Sequence, residues 1–174
     1  MLDISIAYNR YKFLGYEFLT WLWYLIEKEQ RTINEIVKEP IFLEIGNRIV
    51  LENLRKEVLE SVTIRGDDAG LEEGIMALRK GAVVTEINLI YKDNDFESNF
   101  TIKGESLDIS GLRVPKPGYV ESRKDLEGAV IEKAYLCNRV LQLIDNLFKQ
   151  FIRLRNSKDW VSKVVPHIRQ WIHS

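Results

Sequence analysis

Residues 83–102 read Val83-Val84-Thr85-Glu86-Ile87-Asn88-Leu89-Ile90-Tyr91, then Lys92-Asp93-Asn94-Asp95, then Phe96-Glu97-Ser98-Asn99-Phe100-Thr101-Ile102. Val83, Thr85, Ile87, Leu89 and Tyr91 alternate with more polar residues, and Phe96, Ser98, Phe100 and Ile102 resume the alternation. Successive side chains of a strand point to opposite faces, so this period of two predicts two strands with one buried face each. Asp and Asn side chains bond to backbone two residues on, which makes Asp93-Asn94-Asp95 a turn and the two strands antiparallel neighbours. A chain that contains this pair builds an antiparallel sheet, not a parallel one with helical crossovers.

The sheet pattern extends outward on both sides of this pair. Ile41–Ile45 and Arg48–Leu51 flank Gly46-Asn47, a two-residue type II′ hairpin signal. Val58–Arg65 continues the sheet, with Val62 and Ile64 alternating. Asp67 and Asp68 offer N-caps for a short helix over about 69–80, which Gly81 closes. Leu107–Leu112 reads as a short edge strand, and Pro115-Lys116-Pro117-Gly118 as a loop.

Beyond the sheet the period becomes helical. Over 12–30, Leu14, Phe18, Trp21, Leu22, Leu25 and Ile26 share one face of a 100°-per-residue wheel. Tyr16, Trp23 and Tyr24 lie opposite, among Glu17, Thr20 and Glu27. Residues 121–154 read as one long helix, with Val130, Ala134, Leu141, Ile144, Phe148 and Ile152 at i, i+3, i+4 spacing. Ser157 then caps a final helix whose stripe holds Trp160, Val161, Val164, Ile168, Trp171 and Ile172, with Pro166 kinking or splitting it. The expectation is one α+β domain over 1–174. An antiparallel sheet from about 41 to 110 packs against an N-terminal helix and a long C-terminal helix, and a helical tail occupies about 157–174.

Bulk properties narrow the function classes. With 45% apolar and 29% charged residues the 174-residue chain is of globular type. A net charge of −1 points to neither a nucleic-acid coat nor an acidic ligand. The single Cys137 lies within a helical apolar pattern, which suits a reducing compartment. The apolar run Phe18–Ile26 is nine residues long and is followed by Glu27-Lys28-Glu29. That is too short to span a bilayer and lacks the small residues of a cleavage site, so a cytoplasmic protein without membrane contact is expected.

Catalytic chemistry finds little footing, and an enzyme is not expected. His167 and His173 are six residues apart and fall on different sides of a helix, which makes no two-histidine metal site. There is no glycine-rich phosphate loop and no nucleophile in an elbow or beside a base. The carboxylates Asp67, Asp68, Glu72, Glu73, Asp93 and Asp95 are those a Mg²⁺ nuclease uses, but capping and turn roles explain each position. Neither cofactor nor metal is therefore expected.

Charge distribution says more than its total. Lys149, Arg153, Arg155, Lys158, Lys163 and Arg169 face only Asp159 over the last 26 residues, interleaved with Trp160 and Trp171. Such a basic helical end suits a phosphate backbone, and equally suits the dipole of a long helix with the tryptophans in its core stripe. Tyr16, Trp23 and Tyr24 leave two readings as well. They form an exposed surface that stacks on bases or anchors a protein partner, or they are covered by the long helix.

Lys80-Gly81-Ala82-Val83-Val84-Thr85-Glu86-Ile87-Asn88-Leu89 resembles the recombination-associated protein RdgC. So do the strand Phe96–Ile102, the segment Ser106-Leu107-Asp108-Ile109 and the helix bearing Ala134, Leu136, Leu141, Leu143, Ile144 and Leu147. Phe18-Leu19-Thr20-Trp21-Leu22 is similar to a run in the shorter RdgC-like proteins. The resemblance spans roughly residues 60–152 and corresponds to the C-terminal portion of the family. It implies a homo-oligomer that binds duplex DNA without sequence preference and restrains recombination. Ala82 and Glu86 stand where the family is commonly basic, and Gly66-Asp67-Asp68 replaces a basic stretch. The expected DNA contacts are therefore the six tail cations. The alternative is an assembly module of the same fold that docks protein and not DNA.

Overall fold

The computed structural model describes residues 4–53, 61–64, 68–116 and 118–174, with backbone alone for 4–10 and 68–70. Helices α1 (Ile4–Lys28) and α2 (Gln30–Val37) lead into β1 (Phe42–Glu52) and β2 (Ser61–Ile64). Then come α3 (Asp68–Arg79), β3 (Val83–Lys92), β4 (Glu97–Lys103), β5 (Ile109–Arg113) and α4 (Arg123–Arg155). A π-turn (Trp160–Val164) runs into α5 (Val165–His173). The five strands form one antiparallel sheet in the order β2-β1-β3-β4-β5, so the expected α+β class and sheet are observed.

The central pair behaves as its alternation predicts. Ile87, Leu89 and Tyr91 of β3 and Phe100 and Ile102 of β4 are buried on one face. Asp93 Oδ1 accepts from the N–H groups of Asp95 (2.7 Å) and Phe96 (2.8 Å), which makes the Asx turn. Gly81 closes α3 at φ +88°, where its N–H reaches Leu78 O (2.9 Å) and that of Ala82 reaches Ala77 O (3.0 Å). Asp67 lies outside the described residues, as does the side chain of Asp68.

Gly46-Asn47 does not turn the chain. β1 runs through it as one bulged strand paired with β3, the register shifting between Ile45 and Ile49. The cause is a side chain far along the sequence: Asn88 Oδ1 accepts from Asn47 N–H at 3.0 Å. Its Nδ2 is shared among Asn99 Oδ1 (2.9 Å), Phe100 O (3.0 Å) and Thr101 Oγ1 (3.0 Å). A Cβ at position 46 would stand 1.9 Å from that Oδ1, so the bulge needs glycine. Gly46→Ala is expected to cost about 1–3 kcal/mol by overpacking a side chain that cannot swing away, read from the urea midpoint.

α1 lies on the inner sheet face and touches it backbone to backbone: a Cβ on Gly15 would come within 1.7 Å of Gly104 O. Phe18 and Trp21 meet Phe151 of α4 at 5.5 and 5.7 Å between ring centres, and Phe151 meets Trp160 edge-on at 5.4 Å. α4 packs against α2 and α1, and its Arg139 reaches the β3–β4 turn. Ser122 starts it with a capping box, accepting from Asp125 N–H at 3.2 Å while Asp125 Oδ2 accepts from Ser122 N–H at 2.9 Å.

Two further expectations at the C-terminus change. The Ser157 hydroxyl donates back to Leu154 O (2.7 Å) and so does not cap the following helix. Proline lacks an N–H and crowds the carbonyl four residues back. The helix widens into a π-turn one turn before Pro166, Val165 N–H reaching Trp160 O, and continues to His173. This widening moves Val161 out of the predicted stripe, and it is 73% exposed.

Tyr16, Trp23 and Tyr24 are all buried, which corrects their reading as an exposed interface. Trp23 and Tyr24 pack on Trp171 of α5 with ring centres 5.4 and 5.7 Å apart, and Tyr16 lies beneath the turn at Gly104.

Candidate nucleic-acid interface

The six tail cations occupy three environments. Arg155 points back at α1, its Nε 2.6 Å from Glu17 Oε2 and its guanidinium 5.5 Å from the ring centre of Trp160. Lys149 and Lys163 each pair one turn back, with Asp145 (2.6 Å) and Asp159 (3.0 Å). Arg153, Lys158 and Arg169 make no ion pair with another described residue. Arg153 and Arg155 are two residues apart, about 200° around a helix, so one faces outward while the other ties α4 to α1. The structure does not gather all six on one surface.

Lys149 and Arg153 do come together, one turn apart, on the wall of an open groove of about 690 Å³. α2 and the end of α1 supply the other wall, with Lys38, Glu29 and Glu35, and His167 stands at the side of α5. The floor is apolar: Trp21, Leu25, Ile36 and Leu154. α2 was not foreseen. Its sequence signal is Pro40, which ends a helix before it; in the structure Lys38 closes the helix at φ 63° as a left-handed cap. Trp160 and Trp171 are buried in the core, so neither ring is available to stack on a base.

The acidic residues considered as a metal cluster are dispersed. Glu72 and Glu73 are exposed on α3. Asp93 and Asp95 instead receive Arg139 of α4, whose Nη2 lies 3.0 Å from Asp93 Oδ2 and 2.9 Å from Glu39 Oε2, and whose Nη1 lies 2.9 Å from Asp95 Oδ2. Among the described residues no three His, Cys, Asp or Glu side chains are grouped to hold a metal ion. His167 and His173 are not brought together into such a group.

The outer sheet face is a second polar surface. Asn47, Arg48, Asn88, Asn99, Thr101 and Arg113 line a shallow depression of about 580 Å³. Glu86 pairs with Arg48 at 3.2 Å, so acid and base cancel at its edge. Asn88 was the sequence signal here, a polar residue that the sheet nevertheless buries. No described helix is long and apolar enough to cross a membrane. No protein-family model matches the chain, and no curated protein matches it.

Proposed function

We propose that the protein is a non-catalytic, RdgC-like binder of duplex DNA acting in the cytoplasm, self-associated and without sequence preference. The phosphate contacts lie along the groove edge formed by Lys149 and Arg153, with Lys38 opposite, and Lys158 and Arg169 add further tail cations. The supporting observation is that Arg153, Lys158 and Arg169 keep their charges free of ion pairs with described residues, while Arg155 is used inside the fold. Positively charged side chains of this kind bind by displacing counterions, each contact adding roughly 0.9 to the log–log salt slope.

The test is fluorescence anisotropy on two unrelated labelled duplexes across a salt series. Lys149→Ser with Arg153→Ser is expected to weaken binding equally on both and to flatten the slope by up to about 1.8, two phosphate contacts' worth. Arg155→Ser is expected to lower stability and leave the slope unchanged. No binding by the unaltered protein even at low salt would remove the DNA reading. The second reading, an assembly module of the same fold, would then stand. It is favoured by the exposed apolar residues on the first half of α4.

A further inference from the structure

On the outer sheet face one buried side chain, Asn88, sets which way its polar neighbours donate. Its carboxamide cannot be turned end for end. Oδ1 accepts from Asn47 N–H at 3.0 Å and Nδ2 donates to Phe100 O at 3.0 Å, and a backbone N–H only donates while a carbonyl only accepts. The same Nδ2 lies 2.9 Å from Asn99 Oδ1 and 3.0 Å from Thr101 Oγ1, so both of those oxygens serve as acceptors. The Thr101 hydroxyl hydrogen is thereby left to donate elsewhere. Of the two Asn99 Nδ2 hydrogens, one faces Asn88 Oδ1 at 3.4 Å and the other is free. Both side chains line the depression of about 580 Å³.

Charge agrees with this polarity. Arg113, directly across from Asn99 in the β4–β5 register, also lines the depression and makes no ion pair with another described residue. Arg48 meets Glu86 at 3.2 Å, but one carboxylate engages at most two of a guanidinium's five N–H groups. Among the described residues no carboxylate lines the depression. Gly111, at φ +63°, adds no side chain, and nothing lies within 4 Å of where its Cβ would stand, so this side stays open.

We propose that this depression binds a phosphate group. Arg113 supplies the principal charge, Arg48 the second, and Thr101 and Asn99 the neutral donors. A metal cation needs oxygen acceptors, and here the Asn88 and Asn99 carbonyl oxygens are already engaged. A carboxylate offers two oxygens in one plane. A phosphate offers three or four in different directions, which suits donors arriving from three strands, β1, β4 and β5. Asn88 is a positioning residue: it touches no ligand and fixes the direction in which Thr101 and Asn99 donate. Free phosphate, a small phosphorylated compound and a nucleic-acid backbone share this chemistry. The depression has no residue in common with the groove of Lys149 and Arg153, so it stands independently of the reading proposed above.

Inorganic phosphate is titrated into the isotopically labelled full chain and followed by amide NMR, with sodium chloride at equal ionic strength as the control. Saturable shifts of the Asn99 side-chain amide, the Arg113 Nε–H and the backbone around Gly111 are expected with phosphate and not with chloride. Arg113→Gln is expected to weaken binding at least about tenfold, the scale of one charge-assisted hydrogen bond. Thr101→Val, which removes the hydroxyl donor, is expected to weaken it by roughly two- to tenfold. Glu86→Gln removes the acid at the edge and is expected to tighten it by up to about fivefold. The same spectra report whether each variant is folded. Shifts that chloride reproduces, or an affinity unmoved by Arg113→Gln in a folded variant, would overturn the proposal, as would weaker binding in Glu86→Gln. Lys149→Ser with Arg153→Ser is expected to leave the phosphate response intact. Anisotropy of a labelled duplex with Arg113→Gln then separates the sources. Lost affinity assigns the phosphate to a nucleic-acid backbone, and unchanged affinity assigns it to a free or small-molecule phosphate.

Discussion

Trp23→Ala is expected to lower the unfolding free energy by about 3–5 kcal/mol, the range for truncating a large aromatic in a core. On a helix wheel Trp23 lies away from the main apolar face, which would rank it well below Trp21. The fold removes that difference. Trp23 is fully buried, Trp21 nearly so, and Trp23 packs edge-on to Trp171 with centres 5.4 Å apart. Its ring also presses on α3, where a Cβ on Gly74 would stand 2.6 Å from the indole. Alanine at 23 therefore opens a cavity where α1, α3 and α5 meet, and α5 loses the surface that seats it. Trp23→Phe retains a ring and drops an Nε1–H that has no acceptor among the described residues, so a smaller loss is expected. Urea titrations of both variants, with Trp171→Ala for comparison, read the effect. A Trp23→Ala midpoint unchanged from the parent would show that α5 does not cover this face.

That covering illustrates what could and could not be read from residue order. Period-two alternation and an Asp-Asn-Asp turn are local, and residues 83–102 fold as their pattern states. Gly81 as a helix stop is equally local. Gly46-Asn47 carries a hairpin signal of similar strength, but Asn88 reaches across the sheet to take the Asn47 N–H, and that contact decides the conformation. The candidate interface divides in the same way. Six cations in the tail are plain in the sequence, whereas the Glu17 that engages Arg155 lies 138 residues away. A wheel also shows which face of α4 is apolar but not where the body of the protein ends, so the near-continuous exposure of 123–135 was invisible. Charge and period are properties of a segment. Pairing and cover belong to the fold.

Arg139→Leu is the second large effect, expected to cost about 3 kcal/mol, the lower edge for breaking a buried ion pair because the Arg139 side chain keeps 19% exposure. The guanidinium joins α4 to Glu39 after α2 and to Asp93 and Asp95 in the β3–β4 turn, and it lies 5.9 Å from the ring centre of Phe96. Asp93 has a side chain only 5% exposed, so losing its partner strands a carboxylate out of water. Burial pushes the Asp93 carboxyl up, but hydrogen bonds from the Tyr91 hydroxyl and the Phe96 and Asp95 N–H groups, with the Arg139 charge, together hold it below its ordinary value. A carboxyl depressed in the folded state contributes stability above its unfolded pKa and loses it as pH falls through the folded one. Without Arg139 burial meets less opposition and the folded value rises, so that loss begins at a higher pH. Acid unfolding of Arg139→Leu, followed by circular dichroism, should therefore have its midpoint shifted upward relative to the parent. Adding Asp93→Asn, which removes the stranded charge, should return part of both the stability and the acid resistance. An Arg139→Leu acid midpoint equal to the parent's would mean that the backbone and Tyr91 hydrogen bonds alone hold Asp93 ionised, with Arg139 contributing only its contacts to Glu39 and Asp95.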